Sequence, residues 1–121
     1  MFTNKQISGI KGEDLATSFL RKKGYKIIER NFRAIGGEID IIALDKDTLV
    51  FIEVKARSTK EFGSPLEAIT NRKMKSLIKT AQFYKIKNPR LPDCLRIDAV
   101  AITLDSENEV KSIELVKNIS G

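Results

Sequence analysis

A chain of 121 residues with 41% hydrophobic content can bury one core without covalent staples, and none of its apolar runs approaches the roughly 20 residues that span a bilayer. It has no histidine, which excludes imidazole-based nucleophiles, histidine-ligated zinc and histidine phosphoesterases. Its single cysteine, Cys94, excludes an internal disulfide and a thiolate cluster, and 22 Lys and Arg against 16 Asp and Glu give a net charge of +6, a balance suited to a polyanion such as nucleic acid.

The opening MFTNKQISGIKGED lacks the apolar segment of a secretory signal, so a cytoplasmic location is expected, with one domain over residues 1–121. Ile10, Leu15, Ala16, Phe19 and Leu20 recur at helical spacing and predict a first helix over residues 8–23, with Gly24 at its C-terminal stop. Residues 25–32 read as a strand, Gly36 and Gly37 as a turn, and EIDIIAL (residues 38–44) as a second strand.

After a turn at residues 45–47, residues 48–57 sort at period two. Val50, Ile52, Val54 and Ala56 point one way, and Leu49, Phe51, Glu53, Lys55 and Arg57 the other. A loop with Gly63 and Pro65 precedes a helical pattern over residues 66–87, closed by Asn88 and Pro89, and residues 95–104 and 110–116 read as two more strands. The expected fold is α/β, a mixed sheet of about five strands flanked by two main helices in the order α-β-β-β-α-β-β. Cys94 is expected to be at least partly buried.

Glu53 and Lys55 interrupt a strand face that Leu49 and Phe51 make apolar, and charge at such a place is costly unless paired or bound to metal. The competing account is an exposed cross-strand ion pair. Together with Asp40 on the preceding strand they form the donor set of a phosphodiesterase centre. Magnesium takes hard oxygens and only one or two protein carboxylates, which Asp40 and Glu53 supply. Lys55, roughly 7 Å from Glu53 along the strand, is placed to orient the attacking water or bind phosphate.

The segments KGEDLA (residues 11–16), RNFR (30–33), GGEIDII (36–42), FIEVKAR (51–57) and LRIDAV (95–100) run in this order over nearly the whole chain. On them the sequence resembles the PD-(D/E)XK nuclease superfamily and, within it, the YraN-like family of uncharacterised endonuclease-like proteins. The resemblance implies a restriction endonuclease-like core. It also implies Asp40 as the superfamily aspartate, Glu53 and Lys55 as the E-x-K pair, and a Mg2+ or Mn2+ cofactor. Ile39 stands where the superfamily label has proline.

Likeness to archaeal-type Holliday junction resolvases suggests Glu13 as a further acid near the metal; the alternative is a charge favourable at a helix N-terminus. Glu38 is a weaker candidate that shares strand parity with Asp40. Lys73 falls within the apolar arc of the second helix, so it either reaches the carboxylate site or a phosphate, or lays its stem over the core edge. Arg33 and Arg57 are assigned to contacts with the nucleic-acid backbone, Arg72, Lys75 and Lys79 to a solvated helix face, and Arg96 with Asp98 to a structural ion pair. The loop at residues 58–64 is a candidate for substrate discrimination.

The leading expectation is a metal-dependent endonuclease acting on DNA, branched DNA such as Holliday junctions included, with a homodimer as the assembly suggested by analogy. The second is a non-catalytic nucleic-acid-binding module acting with a partner protein. A hydrolase of small phosphoesters fits the positive charge less well, and neither a P-loop nor a dinucleotide-binding glycine fingerprint is present.

Overall fold

The computed structural model describes residues 4–58 and 63–121, with side chains from Gly12 onward. Eight elements follow one another: α1 (Asn4–Lys22), β1 (Lys26–Ala34), β2 (Gly37–Asp45), β3 (Thr48–Ser58), a 3-10 turn (Pro65–Ala68), α2 (Asn71–Lys87), β4 (Cys94–Leu104) and β5 (Val110–Val116). The expected order of two helices and five strands is the observed one, in a single mixed sheet of order β1-β2-β3-β4-β5. The β1-β2-β3 meander and the β4-β5 pair are antiparallel, while β3 and β4 are parallel and joined through α2.

Alternation along the strands divides the core into two layers. Ile41, Ala43, Val50, Ile52, Val100 and Ile102 pack with Ala16 and Leu20 of α1 on one face. Ile39, Ile42, Leu49, Phe51 and Ile97 pack with Leu77, Ala81 and Tyr84 of α2 on the other. Ile39 shares its layer with Ile42 and not with Ile41, so β2 departs from strict alternation at Asp40. No helix among the described residues is long and apolar enough to cross a membrane.

Gly24 closes α1 as expected, at a φ of 94° that L side chains rarely adopt, and the Tyr25 amide donates back to the Leu20 carbonyl at 3.0 Å. The second helix, expected from residue 66, begins instead at Asn71. Ser64 caps a separate 3-10 turn that opens on Pro65, Ile69 leaves helical geometry at φ −89° and ψ 94°, and Thr70 caps α2 by accepting from the Lys73 amide at 3.1 Å. Leu15, one of the apolar positions at helical spacing, is 39% exposed, because the buried stripe of α1 runs through Ala16 and Leu20. Cys94 is exposed, contrary to expectation, since it opens β4 at the sheet's rim. Ile10 and residues 59–62 of the loop proposed for substrate discrimination lie outside the described side chains and residues, respectively.

The β1–β2 hairpin is seated on α2. Ala34 pairs with Gly37 across a two-residue turn, and Ser76 Oγ donates to the Gly36 carbonyl at 2.7 Å. A Cβ at Gly37 would collide with Ser76 Oγ and lie 3.1 Å from Thr80 Oγ1. Gly37→Ala should therefore lift the hairpin off the helix and cost about 1–3 kcal/mol in denaturant unfolding, the usual scale for overpacking. An unchanged midpoint would show that the seat is loose.

Candidate metal centre

Among the described residues two acids are almost completely buried, and their surroundings differ. Asp98 is 0% exposed and saturated with donors. Its Oδ1 accepts from Arg96 Nε at 2.8 Å and from the Asn118 amide at 2.9 Å; its Oδ2 accepts from the Tyr25 hydroxyl at 2.8 Å and from Arg96 Nη2 at 3.0 Å. Arg96 also holds Asp45 at 2.7 Å, which keeps that carboxyl below the usual carboxylate range. The expected Arg96–Asp98 ion pair is thus present and extended into a network that anchors the start of β1 and the C-terminal segment. Burial and the Asp98 acceptor push the Tyr25 hydroxyl upward.

Glu53, 3% exposed on the α2 face, lacks that saturation. Its Oε1 lies 3.3 Å from Lys55 Nζ. Its Oε2 has no hydrogen-bond partner, although Lys73 Nζ stands 3.8 Å away, within ion-pair reach but beyond a hydrogen bond. An unsatisfied buried carboxylate oxygen costs free energy and marks a place where a cation or a proton donor belongs.

Backbone irregularity delivers Asp40 to the same place. The β2–β3 ladder runs from Asp45↔Thr48 to Ile41↔Ile52 and pairs no residue beyond them, while β3 continues beside β4 to Ser58↔Leu104. Where the ladder stops, Asp40 Oδ2 accepts from the Val54 amide at 2.8 Å and takes up a donor that β2 would otherwise have to satisfy. Burial, reinforced by the charge of Glu53 and then of Glu13, pushes the Asp40 carboxyl up to about 6, against the opposing Val54 hydrogen bond and Lys73. The two carboxylates therefore sense one another across the gap between β2 and β3.

Of the residues singled out from sequence, Asp40, Glu53, Lys55 and Lys73 come together. Lys73 reaches the carboxylate rather than merely covering the core edge. Glu13 contributes to the field at Asp40, but its Oε1 accepts from Arg30 Nε at 3.1 Å, and Arg30 also binds Asp14 at 2.7 Å. Since α1 begins at Asn4, Glu13 stands well inside the helix and is not an N-terminal charge. Glu38 is exposed and paired with Arg33 at 3.3 Å, away from the centre. Arg57 lies two residues beyond Lys55 on β3, in register with Thr103. The Val54 amide and the Ser76 seat were not among the sequence candidates; Gly36-Gly37 was the only local signal that a backbone approaches closely there.

Asp40 and Glu53 fit a hard divalent cation: two carboxylates, one with an orphaned oxygen, are the modest protein share that magnesium or manganese takes while keeping water and phosphate oxygens. Among the described residues no three His, Cys, Asp or Glu converge as an all-protein cage, which is the pattern of calcium or structural zinc sites. An open groove of about 510 Å3, lined by Phe19, Lys23, Tyr25, Ile113, Leu115 and Lys117 with Glu114 as its one acid, contains none of these groups. Its lining is chiefly aromatic, aliphatic and lysine side chains, so it supplies no carboxylate pair.

A model of the uncharacterised protein family UPF0102 matches residues 12–102, which include every residue of this centre. A UPF0102 protein of Caldicellulosiruptor saccharolyticus is 43% identical over 116 residues, covering 95% of this chain and 98% of that protein. One from Clostridium botulinum is 47% identical over 118 residues, covering 97% and 95%, and one from Geobacter metallireducens is 43% identical over 115 residues, covering 95% and 92%.

Proposed function

We propose a function from the premise that this chain belongs to the uncharacterised protein family UPF0102: it is a metal-dependent endonuclease of PD-(D/E)XK type that hydrolyses phosphodiester bonds in DNA, branched DNA such as Holliday junctions included. The observation that carries this reading is the buried Glu53 with an unsatisfied Oε2, electrostatically coupled to Asp40 at the point where two strands part. Asp40 and Glu53 would hold the ion. When bound, Mg2+ or Mn2+ supplies charge neutralisation at the phosphate and acidifies a water.

The chain's own groups provide the rest. Lys55 Nζ, held at Glu53 Oε1, is placed to orient water or to bind a phosphate oxygen as negative charge develops. Lys73, also half-buried, adds a second cation on the opposite oxygen. The Val54 amide fixes the Asp40 carboxylate in one orientation. The 17 residues of α2 contain no acid and expose Arg72, Lys75, Lys79 and Lys87, a one-signed surface that suits the phosphates of a polymer.

A non-catalytic nucleic-acid-binding module acting with a partner is the second reading. It is favoured by one observation, that Lys55 and Lys73 already neutralise Glu53 without any metal. A panel of linear duplex, single-stranded, flapped and four-way junction DNA, incubated with Mg2+ or Mn2+ and with chelator, separates the two. Cleavage that requires metal supports the endonuclease; tight binding of any of these substrates with no cleavage under all conditions supports the module.

A further inference from the structure

We propose that the β1–β2 hairpin tip is a nucleic-acid wedge, with Ile35 inserting between stacked bases next to the phosphate that the carboxylate centre handles; this rests on the nucleic-acid reading above. Isolated apolar residues on a surface are ordinary. What sets Ile35 apart is its mounting. It is 109% exposed, more than any other large hydrophobic among the described residues, so its side chain touches almost nothing of its own protein. Yet the turn that carries it is fixed: Ala34 pairs with Gly37, Ser76 Oγ holds the Gly36 carbonyl at 2.7 Å, and Gly37 lies flat against Ser76 and Thr80.

A bulky aliphatic group on a rigid tip is the device by which proteins prise base steps apart, since the cost of unstacking must be met by a side chain that does not fold away. Its location fits. Ser76, which seats the tip, is one helical turn from Lys73, the residue that reaches Glu53, and side chains at that spacing stand about 5–6 Å apart at Cβ. Arg33, with a side chain 79% exposed, lies two residues before Ile35 on the hairpin, and the exposed Arg72 and Lys75 share the helical turn that carries Ser76. With Arg33 balanced by Glu38 at 3.3 Å, the exposed Arg72 and Lys75 are the cations that set this apolar point beside phosphates, as bases are. A protein partner would require a contiguous apolar patch, which this charged rim interrupts.

The test uses duplex and four-way junction DNA carrying 2-aminopurine, whose fluorescence rises on unstacking, titrated with the protein in the presence of chelator so that binding is read without cleavage. The wild type should raise the fluorescence on binding. Ile35→Ser should lose that rise and weaken binding about tenfold, the scale of one aliphatic side chain no longer buried between bases, while Ile35→Leu retains the rise. Because the side chain is fully exposed, the melting temperature should be the same for all three. A wild type that binds without a fluorescence rise, or an Ile35→Ser variant that keeps it, overturns the wedge alone. Absence of binding to any of these DNAs overturns both the wedge and the nucleic-acid reading beneath it.

Discussion

Asp40→Asn is expected to abolish metal-dependent cleavage while making the protein more stable. Asparagine preserves the acceptor for the Val54 amide and the shape of the side chain, so the strand geometry at the gap survives. What disappears is a negative charge that the site holds at a cost. Desolvation and Glu53 push the Asp40 carboxyl from 3.8 up to about 6, so the folded protein binds this proton more tightly than the unfolded chain does.

The sign follows from linkage: between about pH 4 and pH 6 the native state carries more protons, and wild-type stability declines as pH rises through that window. The decline is on the order of 3 kcal/mol and is fully present at neutral pH. Asp40→Asn, neutral throughout, should escape it and melt several degrees higher at pH 7, with the advantage vanishing near pH 4. Cleavage should fall by at least the 10²–10³-fold scale associated with loss of one electrostatic stabiliser. A variant that is both less stable and fully active would refute the assignment on both counts.

Asp98→Asn should do the reverse: destabilise strongly while leaving metal binding in place. Asp98 lies on the α1 face of β4, next to the buried Val100 and Ile102, whereas Glu53 faces α2. An amide at this position loses the charge that balances Arg96 and presents an NH2 where the carboxylate accepted from Arg96 and the Tyr25 hydroxyl or from the Asn118 amide. Breaking one side of a buried pair costs about 3–5 kcal/mol, and because Arg96 keeps Asp45 as a second acceptor the lower end is expected. Tyr25→Phe removes two hydrogen bonds from the same network, the one its hydroxyl donates to Asp98 and the one it accepts from Arg96, and should cost about 1–3 kcal/mol. Equilibrium unfolding in urea, with Mn2+ affinity measured in parallel, reads both effects.

The contrast between these two acids shows which parts of the molecule were legible in the amino-acid sequence. Period two in residues 48–57 placed Glu53 and Lys55 on the face of Leu49 and Phe51, and the two core layers follow that division. Gly24 announced the end of α1 because only a residue without a Cβ accepts its backbone angle readily. The start of α2 was misread because Leu66 and Ile69 carry helical spacing, whereas the Ser64-Pro65 and Thr70 caps that divide the segment act through local hydrogen bonds that periodicity does not register. Cys94 was misplaced, and Leu15 stands exposed despite its helical spacing, for a related reason. Apolar character says that a side chain can be buried, but the packing angle of α1 and the rim position of Cys94 decide whether it is.

At the centre itself, residue types named Asp40, Glu53 and Lys55 but not what joins them. The end of the β2–β3 ladder and the Val54 amide that holds Asp40 are products of strand divergence, visible only once the register is known. Glu38 shared parity with Asp40 on paper, yet β2 departs from alternation there, and Glu38 turns outward to Arg33. Lys73 was ambiguous in sequence because a lysine in an apolar arc can either cover the core or cross its edge; the 3.8 Å approach to Glu53 is set by how α2 sits on the sheet.

The central claim is that Asp40 and Glu53 hold one divalent cation together. Isothermal titration of the protein with Mn2+ at pH 7.5, with and without a non-cleavable DNA, tests it most directly. The account predicts one ion per chain, tighter with DNA present, and loss of binding in both Asp40→Asn and Glu53→Gln. No heat of binding under either condition, or binding undiminished in both variants, would contradict it.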